Sequence, residues 1–154
     1  MSYIAHSGYG YSKRLCEDVA IWFLNKFLPR HKIEVEILHR GLKREGVYGY
    51  CDYTGDSYRP REFLIELQTY MDEELYIKTL LHELVHLRQW VIGSLRSKRG
   101  KMYYGSTKVE ELDYEDQPHE IEARQQENVL YLEYFIQKNF VSVHYFPNRL
   151  LHVV

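Results

Sequence analysis

The stretch from Asp72 to Gly93, DEELYIKTLLHELVHLRQWVIG, decides how the rest of the chain is read. Asp72 is placed to cap a helix, and Glu73 and Glu74 fall in its first turn, where carboxylates favour the positive end of the macrodipole. Apolar residues then recur at helical spacing until Gly93, a residue suited to ending a helix. At about 1.5 Å per residue the element is roughly 30 Å long, enough to cross a small domain. On a helical wheel with His82 at zero, Ile77, Leu80, Leu81, Leu84 and Val91 gather between about 160° and 260°. Thr79, His82, Glu83 and His86 occupy about 0° to 100° of the same wheel. Leu75 and Trp90 also fall on the histidine side, which predicts a covered cleft there.

His82-Glu83-Leu84-Val85-His86 is an H-E-x-x-H pattern in the middle of that helix. Histidines one turn apart point in nearly the same direction, so both imidazoles can reach one metal ion, and the glutamate between them projects alongside. Zinc lowers the pKa of a water toward 7, and a carboxylate beside it can take the proton and deliver it to a leaving amine. A shuffled chain of this composition would contain the pattern about 0.04 times, so chance is a weak competitor. The bland alternative is a pair of surface or core histidines. A catalytic zinc also needs a third protein ligand and one open position. The extended signature HExxHxxGxxH would put glycine at 89 and histidine at 92, where this chain has Gln89 and Ile92.

The third ligand is therefore sought in a second helix. Pro118 suits a first helical position, and a helical pattern runs from it to about Asn139. Its opening, Pro118-His-Glu-Ile-Glu-Ala, offers His119, Glu120 and Glu122. If Ile121, Val129, Leu132 and Ile136 mark the inner face, Glu122 lies roughly 60° from its centre and Glu120 about 140° away. Glu122 is then the favoured ligand, with Ala123 beside it allowing close helix approach. His119 is the runner-up, or a donor to the transition-state oxyanion. The competing view of Glu122 is an ordinary salt bridge.

Elsewhere the chain reads as one domain over residues 1–154, without repeats, low complexity or linkers. A first helix spans Tyr11 to about Leu28 and stops at Pro29. Ile33, Val35 and Ile37 alternate as in a strand, and Gly41 to Gly46 turn the chain. Val47 to Tyr53 reads as a second strand interrupted by Gly49, and Glu62 to Gln68 as a third. That third strand, with Phe63, Ile65 and Leu67, is either an edge on which an extended peptide is laid or an internal core strand. Residues Ser94 to Gln117 form a long connection, a length typical of functional or mobile loops. Tyr103, Tyr104 or Tyr114 from it can supply a phenol to an oxyanion. Arg96, Lys98, Arg99 and Lys101 can contact phosphate or acidic peptide, though a solvated loop explains them as well. Residues Val141 to Val154 are expected to form a short extended segment.

Composition sets outer limits. Hydrophobic residues make up 45% and charged residues 27%, as in folded globular chains. A net charge of -2 gives no global field toward nucleic acid or an anionic membrane, so nucleic-acid binding has only the basic loop to support it. Cys16 and Cys51 form no CxxC pair, which excludes a thiolate zinc site and fits a reducing compartment. No leader or membrane span is legible, and the expected location is cytoplasmic.

His82-Glu83-x-x-His86 followed in a later helix by Glu122-Ala123 resembles the gluzincin arrangement, in which a downstream helix supplies a glutamate followed by a small residue. The chain's size, its strands before the motif and the Glu120-x-Glu122-Ala123 segment resemble the small intracellular HExxH peptidases, notably the ImmA/IrrE-like and SprT-like groups and phage metallopeptidases. The resemblance covers about residues 60 to 138. It implies His82, His86 and Glu122 as ligands of one Zn2+ and Glu83 as general base and acid. Two departures stand out. Gluzincins often carry an aspartate four residues after the third ligand to orient a histidine, where this chain has Gln126, and SprT-like proteins typically use a third histidine. A neutral amide polarises imidazole less than a carboxylate does. The expected molecule is an α+β zinc metallopeptidase, with a small sheet packed on the HExxH helix and a second long helix facing it. Protein or peptide is its substrate. Its rivals are a zinc-stabilised binding or regulatory module without turnover, and a DNA-associated SprT-like protease.

Overall fold

The computed structural model describes the backbone of residues 1–145 and the side chains of residues 1–139. The order of elements is β1 (Tyr3–Gly8), α1 (Lys13–Phe27), β2 (Glu34–Arg40), β3 (Gly49–Thr54), β4 (Glu62–Gln68), α2 (Glu73–Ile92), β5 (Leu95–Lys98), β6 (Lys101–Tyr104), β7 (Thr107–Lys108) and α3 (Pro118–Tyr145). The fold is α+β, as expected, with β1 to β4 in one sheet and β5 to β7 in a second.

The larger sheet has the order β1-β2-β4-β3. β1 and β4 flank β2 in parallel, and β3 runs antiparallel to β4 along the outer edge. Strand alternation does the work of building its inner face. Val35, Ile37 and His39 of β2 stand beside Phe63, Ile65 and Leu67 of β4 in register, and all six are buried. Glu34, Glu36 and Glu62 take the opposite, exposed face. β4 is therefore internal, and Phe63, Ile65 and Leu67 are core side chains rather than a surface for substrate. The unpaired edge beside it belongs to β3.

α1 lays Cys16, Val19, Ala20, Phe23 and Leu24 into the core. α2 begins and ends where the sequence places it: the Asp72 side chain accepts from the Leu75 amide, and Gly93 takes the left-handed conformation at φ 86°. A β-carbon would be strained there, so glycine is the residue that stops the helix. Its leucines at 80, 81, 84 and 87 are fully buried, each contributing about 1.5–3 kcal/mol by leaving water. Because α2 has the sheet and α1 on one side and α3 on the other, its polar face is buried as well.

Two expectations change, and β1 is an element that the sequence pattern does not show. The connection from Ser94 to Gln117 is not a plain loop, since it folds into the β5–β6–β7 meander and two short 3-10 turns, Val109–Glu111 and Tyr114–Asp116. Residues 141–145 continue α3 rather than forming an extended tail, and 146–154 lie outside the described residues. Among the described residues no helix is long and apolar enough to cross a membrane.

Candidate metal centre

The two imidazoles of α2 converge as their spacing predicts. His82 Nε2 and His86 Nε2 lie 3.1 Å apart. The carboxylate that meets them belongs to Glu120: its Oε2 is 3.1 Å from His82 Nε2 and its Oε1 is 3.2 Å from His86 Nε2. Among the described residues His82, His86 and Glu120 are the group able to hold a metal ion.

Glu122 is elsewhere. Its carboxylate accepts from Tyr104 Oη at 2.6 Å and from Gln89 Nε2 at 3.1 Å. The rotation of α3 is the cause. The buried row of this helix is Glu120, Ala123, Leu130 and Tyr134, whereas Ile121, Val129, Leu132 and Ile136 are exposed. The inner face expected from the apolar residues is thus the outer one, and Glu120 turns in with it, only 8% exposed. Ala123 does sit at the helix contact, completely buried, which lets α3 approach α2.

Each histidine is held from behind. His82 Nδ1 lies 2.7 Å from Glu127 Oε2, and His86 Nδ1 lies 2.9 Å from Gln89 Oε1. Gln126 was the candidate for such a role, but it faces the other side of α3, beside Glu122 and Arg88. Glu127, two turns after Glu120, was not singled out from sequence. Its signal was its place in the row Glu120, Ala123, Glu127, Leu130, Tyr134, spaced by three and four.

The arrangement is electrostatically incomplete without a positive charge. Both Nδ1 atoms face acceptors, so two Nε2 lone pairs and a carboxylate point at one another across little more than 3 Å. Without a metal, protons must fill the gap. Burial opposes charge on His82, yet hydrogen bonds to Glu120 and Glu127 carry it up to about 10, and His86 is raised by Glu120 in the same way. Against the cost of its own burial, Glu120 is held well below the usual carboxylate range by the two imidazoles. A divalent cation satisfies the same three donors. For bonds of about 2.0–2.1 Å, tetrahedral ligands stand roughly 3.3 Å apart, close to the observed separations.

Glu83 lies on the same side of α2, only 6% exposed. Burial raises its carboxyl, and although His86 and His82 pull the other way it settles at about 7. Among the described residues nothing donates a hydrogen bond to it. Gly49 of β3 makes its room, since a β-carbon there would stand 2.9 Å from Glu83 Oε1. The glycine that interrupts the strand pattern is therefore part of the site.

A cavity of about 260 Å³ opens over the cluster, bounded by Gly49 and Cys51 of β3, Glu83, Tyr114 and His119. Tyr114 Oη donates to Glu120 Oε2 at 3.0 Å. The His119 ring is 5.3 Å from that of His86 and buried, and among the described residues its Nδ1 has no partner. Burial and the neighbouring imidazole of His86 lower His119 to about 4, leaving it neutral near pH 7. Tyr104 is tied to Glu122, and Tyr103, also on β6, does not line the cavity. In the basic segment, Arg96 donates to the Gly105 carbonyl and Lys101 pairs with Glu110.

No family model matches the chain, and no curated protein or solved structure matches it closely enough to indicate a relative.

Proposed function

We propose that the protein is a zinc-dependent endopeptidase-like hydrolase of protein or peptide, with His82, His86 and Glu120 holding the metal and Glu83 moving the proton. The observation that carries this reading is Glu83. A structural metal site closes its coordination shell and needs no base beside it. Here a buried carboxylate lines the cavity beside the donor cluster, and among the described residues no group donates to it.

Bound to the three donors, zinc would supply Lewis acidity, polarising a scissile carbonyl and making water more acidic. Glu83 takes a proton from the attacking water and returns it to the leaving amine. Tyr114 and His119 line the cavity and are the candidate donors to charge developing on the carbonyl oxygen. The exposed edge of β3, rather than β4, is the strand on which an extended peptide would add backbone hydrogen bonds. The basic segment on β5 and β6 adds no comparable support for a nucleic-acid role.

Glu83→Gln tests the reading. It is expected to abolish cleavage of an unfolded protein substrate while leaving bound zinc per chain unchanged. Retained turnover would remove Glu83 from the mechanism. A wild-type chain that cleaves no member of a peptide library, yet unfolds on chelation, would make the metal a structural one.

A further inference from the structure

The two imidazoles are braced from different parts of the chain. His82 is held by Glu127, on the same helix as Glu120. His86 is held through a relay that begins in the β5–β7 meander. Tyr104 Oη donates to Glu122 Oε2 at 2.6 Å, and Glu122 Oε1 accepts from Gln89 Nε2 at 3.1 Å. The same amide nitrogen donates to the His119 carbonyl at 3.0 Å, and Gln89 Oε1 faces His86 Nδ1 at 2.9 Å.

The direction of this relay is fixed by the chemistry of its ends. A carbonyl can only accept, and the carboxylate, with its other oxygen taken by a phenol, accepts too. Turning the Gln89 amide over would press its oxygen against both of them. The amide oxygen must therefore face His86, whose Nδ1 then carries the hydrogen and whose Nε2 offers its lone pair to the cluster. Gln89 is buried, with 1% of its surface exposed, so water cannot easily substitute for these partners.

We infer that Gln89, locked by Glu122 and Tyr104, is a positioning residue that sets the tautomer and aim of His86, so that the meander tunes the site's affinity for its cation. This rests on the metal-site reading above. Glu122, favoured from sequence as a ligand, acts one step further out, and Tyr104 couples a peripheral hairpin to the centre. Packing or displacement of that hairpin changes the centre without touching a ligand.

The experiment strips the full chain with a chelator, reloads it with zinc and measures affinity by competition with a chromogenic chelator. Gln89→Leu is expected to weaken zinc binding by about 10-fold or more. Tyr104→Phe, a change on a partly exposed hairpin that leaves the core intact, is expected to weaken it less. The double variant should be no weaker than Gln89→Leu, because both changes act through one amide. Nitrogen-15 spectra of the zinc-loaded protein should show His86 bound through Nε2 with its hydrogen on Nδ1. Wild-type affinity in Tyr104→Phe, fully additive losses, or a His86 that binds zinc through Nδ1 would each overturn the inference. His86→Ala separates the two levels: if it keeps zinc, the metal site itself is wrong. If it loses zinc while Gln89→Leu and Tyr104→Phe do not, only the relay falls.

Discussion

α2 and α3 face each other across the donor cluster and hide opposite kinds of residue. α2 buries its apolar stripe in the usual way and its polar stripe as well, because α3 covers it. α3 turns His119, Glu120 and Glu127 toward the site and leaves Val129, Leu132, Phe135 and Ile136 in solvent, the last two 52% and 63% exposed. Hydrophobicity orients a helix only where its neighbour is apolar. Against a cluster of imidazoles, carboxylates win the inner positions, and small or mixed residues such as Ala123, Leu130 and Tyr134 complete the contact.

The sharpest way to break this comparison is on the two leucines of α3. Leu130→Ala, at a buried position, should cost about 2–5 kcal/mol in denaturant unfolding, whereas Leu132→Ala, largely exposed, should stay within about 0.5 kcal/mol. Equal costs would mean that the helix is turned otherwise. The next largest effect concerns the glutamates. Glu120→Ala should reduce zinc affinity more than about 100-fold, beyond what loss of an outer partner does, and Glu122→Ala only by about 10-fold or so. The reverse ranking would restore Glu122 as the ligand.

A smaller effect follows from protonation in the stripped protein. His82 has a folded pKa of about 10, above its ordinary 6.5. Its pairing therefore contributes stability that is fully present below about 6.5 and is lost as pH rises through about 10. Glu83, raised to about 7, has finished titrating over most of that window. The melting temperature of the metal-free chain should fall between pH 7 and 10. The zinc-loaded protein, whose imidazoles are already unprotonated, should fall less, and parallel curves would contradict the arrangement.

What the sequence revealed follows the same division. α2 was legible to its caps, because Asp72 and Gly93 act through local backbone chemistry and His82, Glu83 and His86 depend only on helical period. β4 was legible over its full span, but the choice between edge and internal strand was not, since the order of strands is a tertiary fact. β1 was missed because it borders only one strand and its residues are half-buried or exposed. The meander escaped because strands of two to four residues are too short to show a period. The choice between Glu120 and Glu122 failed for the reason α3 itself supplies: a wheel anchored on its apolar residues points outward. Anchoring it on Ala123, a residue small enough for close helix contact, would have placed Glu120 and Glu127 about 60° and 40° from that contact and Glu122 about 100° from it.

The meander also separates His86 from Glu120 along the chain, so a cation joining them closes a ring of covalent and coordinate bonds. The entropic penalty of such a ring grows only with the logarithm of its size, about 0.6 kcal/mol for each doubling. Insertions at the exposed turn of Arg99 and Gly100, which leave Tyr104, Tyr114 and the buried Leu95 and Val109 in place, thus change the thermodynamics of assembly little. The length of that excursion is the dimension along which this architecture can be rebuilt with least damage.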